Sequence, residues 1–562
     1  MDKINLMNPE AMGNTAAPAI RIPWLLMATV TVLWLFPGLF GHDPWKADEP
    51  YSFGMVWHIL STGDWVVPTV AGVPFMEKPP LCYLTAALFA RLFSQALAPH
   101  DAARLASAFF MAITFAFVAL TARELYGVGR GRVAILLLLS CVGLQTHAHK
   151  LITDIPLLSG FAIAIFGFVL SRRCPVHGGL WIGTGVGIGF LSKGLFAPGI
   201  LGITAVVLPL VSGDCRRREY LMTLVVAFLA ALPWLLIWPL ALHRQAPRLF
   251  REWLLVQNFG RFLGTARQGP PNKPAFYFYT LPWFAWPAFP LAVWVGWKKR
   301  RAVGGGFLRS IPLVAFAVML AVLSVASDGR GLYALPMLVP LSILAVPAFD
   351  MDPGRPGRAI DRWGVALFAV AGLLLWLGWL ALISGHPAMV AARLRAISPA
   401  YVPSFALFSF AVAAAYTVVW GGIALRTPAT WGHSLLRWGM GTTMVWGLCM
   451  TLWLPWTDAM RSYRSMIASL LPHIPRNGAC VASMSIGESE RAMLEYFAGI
   501  QTHMVDSIAD VPCGYLFVGG RRGTLKDNIG PNWTLAWRGG RPGNTKEEFL
   551  LFRAVNRPQS AN

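Results

Sequence analysis

Apolar runs alternate with polar segments along most of the chain. They lie near residues 23–41, 103–125, 132–148, 154–171, 179–194, 196–211, 220–242, 277–297, 309–326, 331–349, 363–384, 404–425 and 435–456. These thirteen runs approach or reach the roughly 17–25 apolar residues that a helix needs to cross a bilayer. The pattern predicts an all-α polytopic membrane protein. A fourteenth stretch, "PLCYLTAALFARLFSQAL" at 80–97, reads either as a span or as a helix lying along the membrane face.

Loop charge chooses between the two. If 80–97 does not cross, the loops "ARELYGVGRGR", "SRRCPVHG", "DCRRRE", "KKRRAVGGGFLR", "DPGRPGRAIDR" and "RTPATWGHSLLR" all fall on the side of the N-terminus. Short loops rich in Lys and Arg stay in the cytoplasm, so that side is cytoplasmic and the C-terminus external. The segments "HDPWKADEPYSF" through "FMEKPP", the start of "TDIPLL", the end of "LSKGL", residues 243–276, "SDGRG" and residues 457–562 then share the external face. Within the first of these, "VWHILSTGDWVVPTV" reads as an amphipathic segment resting on the membrane surface, with His58 as an interfacial side chain.

Beyond residue 456 the pattern changes. "GACVASMSIGESERAMLEYFAG" reads as strand, turn and helix with Glu488 in the first turn, "CGYLFVGG" as a short strand, and "WTLAWRGGRPGNTKEEFLLFRAV" as a hairpin. The expected organisation is a transmembrane part, 1–456, with external loops at 42–101 and 243–276, followed by a small external α/β domain, 457–562. The polar start precedes an apolar run without a small-residue cleavage site, which reads as a retained first span.

Composition agrees. The 562 residues are 56% hydrophobic and 13% charged, far from the roughly 25% charged residues of soluble domains. The net charge of +21 sits mostly in short loops, where orientation and lipid phosphate explain it. No basic stripe interleaved with stacking aromatics points to nucleic acid. Of seven cysteines, only Cys480 and Cys513 lie in a polar region, as one disulfide or as two buried thiols.

Chemistry gathers on the external face. Asp48 and Glu49 in "KADEPY" are either a hydrated turn or a catalytic carboxylate beside the hydrocarbon. In "GVPFMEKPPL", Glu77 and Lys78 abut two prolines that hold the chain extended; the lysine is a phosphate ligand or a snorkelling anchor. In "HAHKLITDIPLL", Asp154 opens a span, where a carboxylate caps the helix or faces a cavity. His147 and His149 are two apart and diverge on a helix, which argues against a metal pair. Lys193 in "LSKGLF", Arg330 in "SDGRGLYALP" and the cations of "FREWLLVQNFGRFLGTARQGP" each read alone as interfacial anchors; their collective placement suits anionic lipid phosphates. No P-loop, G-x-G-x-x-G or G-x-S-x-G stands in suitable context, so nucleotide-driven chemistry has no support.

Taken as an ordered set, the Asp-Glu pair after the first span, "GDW", "EKPPL", "ARLASA", "LITDIPLLSG", "GFLSKGLFAPGI", "QNFGRF" and "SDGRGLYALPMLVPLSILA" resemble the GT-C membrane glycosyltransferases of the protein O-mannosyltransferase superfamily, in particular the bacterial aminoarabinose (ArnT-type) transferases that modify lipid A. The resemblance runs over about residues 24–350. It implies a GT-C fold with about thirteen transmembrane helices, amphipathic juxtamembrane helices in the first periplasmic loop, and a periplasmic α/β domain. It implies inverting transfer of 4-amino-4-deoxy-L-arabinose from undecaprenyl phosphate to lipid A phosphates at the periplasmic face of the inner membrane, giving resistance to polymyxin. Residue by residue, Asp48 matches the catalytic carboxylate and Asp154 a second acidic position. Lys78, with Glu77 beside it, matches the carrier-phosphate ligand, and Lys193, Arg330 and Tyr333 lie in cavity-lining motifs. Tyr51 stands where many members carry arginine. No cofactor is required, and a monomer in contact with membrane lipids, without nucleic acid, is expected. A protein Ser/Thr or other glycan acceptor is the alternative; a lipid-linked sugar transporter, which would show internal pseudo-symmetry and a midplane site, fits less well.

Overall fold

The computed structural model describes residues 23–260, 270–299, 307–428, 430–475 and 480–555. Every predicted apolar run carries a helix or a broken pair of helices. Long examples are Pro99–Tyr126, Arg218–Gln245, Gly354–Ser384 and Leu407–Arg426; the run at 277–297 is split into Phe276–Phe284 and Ala288–Lys299. Pro287 sits in that break, where its missing N–H cannot continue the ladder. Among the described residues, five helices are long and apolar enough by length and composition to cross a membrane.

The ambiguous stretch at 80–97 forms only the helix Leu81–Leu92, whose 12 residues rise roughly 18 Å. That is shorter than the roughly 30 Å of hydrocarbon, as is the equally short Trp24–Leu35 in the first apolar run. Leu81–Leu92 packs between the helix Glu49–Thr62 and the start of Pro99–Tyr126. A two-residue ladder, β1 (Thr69–Val70) with β2 (Val73–Pro74), folds the first external loop back on itself and delivers "EKPP" next to Asp48.

The helices Asp154–Leu170 and Pro175–Lys193 form an antiparallel hairpin. Their approach is close because glycines line it: a Cβ on Gly160 would lie 2.7 Å from the Gly185 carbonyl oxygen. Small residues at such a seam let backbones touch. One consequence is functional, since the start of the first helix and the end of the second come to the same level, placing Asp154 beside Lys193.

The C-terminal unit is a five-stranded mixed sheet. In chain order its strands are β3 (Val481–Met484), β4 (His503–Met504), β5 (Tyr515–Arg521), β6 (Trp533–Gly539) and β7 (Glu547–Ala554), arranged β4-β3-β5-β7-β6. β3 runs parallel to β4 and β5, while β7 is antiparallel to both its neighbours. The strand–helix–strand–hairpin reading is borne out, with β4 as the element missed; two residues are too few to show an alternating pattern. Cys480 and Cys513 form a disulfide between the starts of β3 and β5, so the paired reading of these cysteines is the one observed.

This unit does not stand apart. Phe53 and Val56 of Glu49–Thr62 and Tyr83 and Ala86 of Leu81–Leu92 share one buried cluster with Tyr463, Met466, Phe517 and Trp537. The helix Glu488–Ala498 lies so tightly on Glu49–Thr62 that a Cβ on Gly54 would come within 2.7 Å of the Ala492 Cβ.

Candidate active site

Asp48 occupies the N-cap position of Glu49–Thr62 but makes no capping hydrogen bond with its side chain. Its carboxylate instead accepts a hydrogen bond from the Tyr51 phenol, 2.8 Å away. The Lys78 ammonium donates to the same phenol oxygen at 2.5 Å and lies 4.9 Å from the ring centroid. One turn of helix therefore links Asp48 to the "EKPP" lysine through a single hydroxyl. Burial, reinforced by the charge of Asp48, pushes the Tyr51 phenol well above its ordinary range. It stays neutral and can donate to the carboxylate while accepting from Lys78.

Asp154, at the start of its helix, also makes no cap: the N-cap is Thr153, without a side-chain bond. Of the two sequence readings, the capping one is not observed. The Asp154 carboxylate is buried and accepts from the Lys193 ammonium at 2.5 Å. Lys193 in turn sits 4.1 Å from the Tyr333 ring centroid, so it is no lone interfacial anchor. The Tyr277 phenol donates to the Arg330 backbone carbonyl at 3.3 Å, fixing the "SDGRG" segment beside this group.

The two groups share neighbours within electrostatic range. Cys82 lies within electrostatic reach of both Lys78 and Asp154, and His147 within reach of both Asp154 and Asp48. The charge of Glu77 acts on Tyr51 and Tyr83. Asp48, Tyr51 and Lys78 form one contact group, and Asp154, Lys193 and Tyr333 another. Arg261 and Arg267 of the "FREWLLVQNFGRFLGTARQGP" segment lie outside the described residues.

Glu49 faces the other way. It is 2% exposed and accepts from Arg104 Nε at 2.7 Å, the Trp45 backbone N–H at 3.0 Å and the Leu151 backbone N–H at 3.3 Å. Burial alone would raise its pKa; the Arg104 charge and these bonds outweigh that and hold it at about 2. Arg104 also donates to the carbonyls of Leu39, His42 and Asp43 and to Asp101, so this guanidinium ties the whole loop 39–49 to the helix Pro99–Tyr126. The motif "ARLASA" contained Arg104, but nothing in its spacing indicated that the arginine is buried.

Lys150 is a second residue that sequence reading passed over. It is half-buried on the loop before Asp154, and burial lowers its pKa while the Glu49 and Asp48 charges oppose that. Arg461, from the helix Leu454–Arg461, faces the same region. From the C-terminal unit, Glu490 and Glu547 each accept from Lys46 at 2.8 and 2.7 Å, and Ser489 donates to the Ala47 carbonyl at 2.9 Å. Two residues before Asp48, the loop is clasped from outside. His147 and His149 bond to separate backbone carbonyls, Gly143 and Trp34. Among the described residues the one group at metal-ligand separation is Cys480, His503 and Cys513, in which the two thiols are already joined to each other.

The comparisons bear on this arrangement. A family model described as dolichyl-phosphate-mannose-protein mannosyltransferase matches residues 77–238. An undecaprenyl phosphate-alpha-4-amino-4-deoxy-L-arabinose arabinosyl transferase of Edwardsiella ictaluri (strain 93-146) is 29% identical over 384 residues, 65% of this chain and 67% of that one. Its counterpart in Pseudomonas aeruginosa (strain UCBPP-PA14) is 28% identical over 372 residues, 63% and 65%. Matches of this kind span about two thirds of the relatives' length. The crystal structure of ArnT from Cupriavidus metallidurans bound to undecaprenyl phosphate superposes with a TM-score of 0.68 at 16% identity, covering 94% of this chain and 97% of that one. The chain has the ArnT fold. The resemblance to ArnT-type GT-C glycosyltransferases read from the motifs therefore holds in both sequence and fold. It extends past residue 350 to the C-terminal sheet, where motif matching had stopped.

Proposed function

We propose that the chain is an inverting glycosyltransferase that moves 4-amino-4-deoxy-L-arabinose from undecaprenyl phosphate to a lipid A phosphate at the periplasmic face of the bacterial inner membrane. In this reading residues 1–456 are the membrane part, with about thirteen spans, and 457–562 the periplasmic domain. The observation that carries it is the Asp48–Tyr51–Lys78 relay together with the buried Asp154–Lys193 pair, on an ArnT-type fold.

In the reaction, the sugar C1–O bond to the carrier phosphate breaks and a C1–O bond to the acceptor oxygen forms on the opposite face. Positive charge develops at C1, as in other glycosyl transfers, and negative charge on the departing undecaprenyl phosphate. Lys78 stabilises the latter as it develops, which speeds the chemical step. Asp48 orients the acceptor. A phosphate acceptor is already anionic and arrives without a proton to lose; Lys150 and Arg461 are placed to hold it against Asp48. A hydroxyl acceptor would require Asp48 to take its proton as general base. Asp154 keeps Lys193 fixed against Tyr333 at the donor side, and Glu77 flanks Lys78.

The test is transfer by purified protein in liposomes holding both the lipid-linked donor and lipid A, read by mass spectrometry of lipid A. Wild-type protein is expected to add the aminosugar and Asp48→Asn protein to add none while remaining folded. Product formation by the Asp48→Asn protein at the wild-type rate, or donor movement without a new bond, would overturn the assignment. The match to a protein-mannosyltransferase family model favours one second reading, the same donor chemistry with a protein Ser/Thr acceptor; glycosylated protein with unmodified lipid A would select it.

A further inference from the structure

Lys46 and Ala47 come directly before Asp48, in a loop that the membrane part holds at its two ends. Upstream, Arg104 gathers the carbonyls of Leu39, His42 and Asp43. Downstream, the Asp48 carbonyl accepts from the Ser52 backbone N–H at 3.2 Å and from the Ser52 hydroxyl at 2.8 Å, where the helix Glu49–Thr62 begins. Between these points Lys46 and Ala47 find their partners in the C-terminal unit. The Lys46 ammonium donates to Glu490 at 2.8 Å and to Glu547 at 2.7 Å, and the Ser489 hydroxyl donates to the Ala47 carbonyl at 2.9 Å.

Both carboxylates are fixed from their own side as well. Tyr463 donates to the Glu490 oxygen that Lys46 uses, at 2.8 Å, and Arg541 donates to the second Glu547 oxygen at 3.1 Å. Ser489 and Glu490 are buried in the first turn of Glu488–Ala498, and Glu547 opens β7. One turn beyond Ser489 lies Ala492, against which Gly54 packs without room for a side chain. Gly54 belongs to the helix that Asp48 precedes as N-cap, so the seam that seats the C-terminal unit also sets the height of Ser489 against Ala47.

The carbonyl that Ser489 holds is part of the planar peptide unit joining Ala47 to Asp48. Ser52 holds the carbonyl on the other side of the Asp48 Cα. With both flanking peptide planes fixed, the direction in which the Asp48 side chain leaves the backbone is fixed too. Attachment alone does not call for this device. An ion pair with a buried partner adds little stability beyond apolar packing of the same size, and the cluster of Phe53, Tyr463 and Phe517 already joins the two parts. What the clasp adds is direction.

We propose that the C-terminal unit is a positioning element for the transfer step, with Ser489 and Glu490 holding Ala47 and Lys46 so that the Asp48 carboxylate meets the acceptor at a set angle. This rests on Asp48 being the group that orients the acceptor. A misplacement of about 1 Å in such a group can cost on the order of 100-fold in rate. Lys78 and Lys193 are held separately, through Tyr51 and Asp154, and keep their contacts when the clasp is opened.

The experiment is steady-state transfer by the purified full-length protein in liposomes, with rates normalised to folded protein at a temperature where every variant is folded. Glu490→Gln keeps an acceptor for Tyr463 and leaves Lys46 paired with Glu547; kcat is expected to fall about tenfold, with donor KM within about twofold of wild type. Ser489→Ala, which leaves no charge unpaired, should lower kcat about threefold, and it decides the matter if Glu490→Gln protein does not fold. Lys46→Arg should retain more kcat than Lys46→Met. Lys526→Ala, at an exposed position of the same unit, should change nothing. A merely structural role would lower the yield of folded protein and leave kcat per folded molecule untouched. Wild-type kcat in both Ser489→Ala and Glu490→Gln proteins, a loss that appears in donor KM instead, or an equal loss in Lys526→Ala protein would overturn the positioning role while Asp48→Asn stays inactive. Transfer by Asp48→Asn protein at the wild-type rate would instead remove the reading beneath it, and the proposal with it.

Discussion

Asp48 and Glu49 are neighbours in sequence and opposites in circumstance. Glu49 is sealed in, with a guanidinium and two backbone N–H groups filling its lone pairs and a pKa held at about 2. Asp48 is half-buried, and its hydrogen bond comes from a neutral phenol that also answers to Lys78. A carboxylate whose partners are fixed and charged has nothing left to give a substrate. One that is half-buried and held by a neutral donor can still orient or deprotonate one. On the proposed function, the adjacent pair divides into an anchor for the loop and a reactive group that the anchor positions.

The sharpest way to break that division is to remove each partner and ask what fails. Arg104→Ala leaves Glu49 buried and unpaired, which costs about 3–5 kcal/mol, and the expected outcome is loss of folded protein or a large drop in thermal midpoint. Asp48→Asn should leave the midpoint in place while transfer falls by roughly 10²–10⁴-fold, the range of a lost general base or orienting carboxylate. If Asp48→Asn unfolds the protein, or Arg104→Ala folds normally, the anchor and the reactive group have been assigned the wrong way round.

Lys78→Ala sharpens the reactive side. Loss of a charge that acts on the departing phosphate should lower kcat by roughly 10²–10³-fold, with less effect on KM, and Lys78→Arg should recover part of it. An effect confined to KM would mean that Lys78 only holds the ground-state donor.

Much of this was legible before the structure, and the reasons for the rest are physical. Period placed helices on all thirteen apolar runs, because that signal accumulates over many residues. The motifs singled out Asp48, Lys78, Asp154 and Lys193 one by one. Their pairing was not legible: Lys193 meets Asp154 across 39 residues only because a glycine seam draws two helices together. Arg104 lay in a quoted motif, yet its burial depends on five acceptors contributed by the loop 39–49 and its own helix. The clasp of Lys46 by Glu490 and Glu547 spans 444 and 501 residues, and no local pattern announces a contact of that range. A β-strand of two residues leaves no period to detect.

Tyr51 tests a finer point of the comparison, whether the neutral donor matters. Tyr51→Phe keeps the ring under Lys78 and removes the hydroxyl that joins it to Asp48. The expected loss is about tenfold in kcat, on the scale of one hydrogen bond to a charged group. An unchanged kcat would reduce Tyr51 to a packing residue.

The smallest effect concerns a third carboxylate, Asp458, which shows the opposite bias to Glu49. Burial, and then the nearby charge of Asp43, raise its pKa from the ordinary 3.8 to about 6, although it accepts from the Asp43 backbone N–H and the Trp45 indole. The two groups pull stability in opposite directions along the pH axis. Glu49, with its folded pKa lowered from 4.5 to about 2, contributes stability above pH 4.5 that is lost as the pH falls toward 2. Asp458, raised when folded, contributes most below pH 3.8, and that contribution is lost as the pH rises through 6. Asp458→Asn keeps the acceptor oxygen without the charge. It should raise stability at pH 7.5 on the order of 2 kcal/mol, and the gain over wild type should shrink toward zero by pH 4, where Asp458 is protonated in the native protein. Thermal midpoints of both proteins across pH 4–8 measure the difference. A gain that is the same at both ends of that range would mean that Asp458 carries no strained charge at neutral pH, and that the loop before Asp48 is held by hydrogen bonds alone.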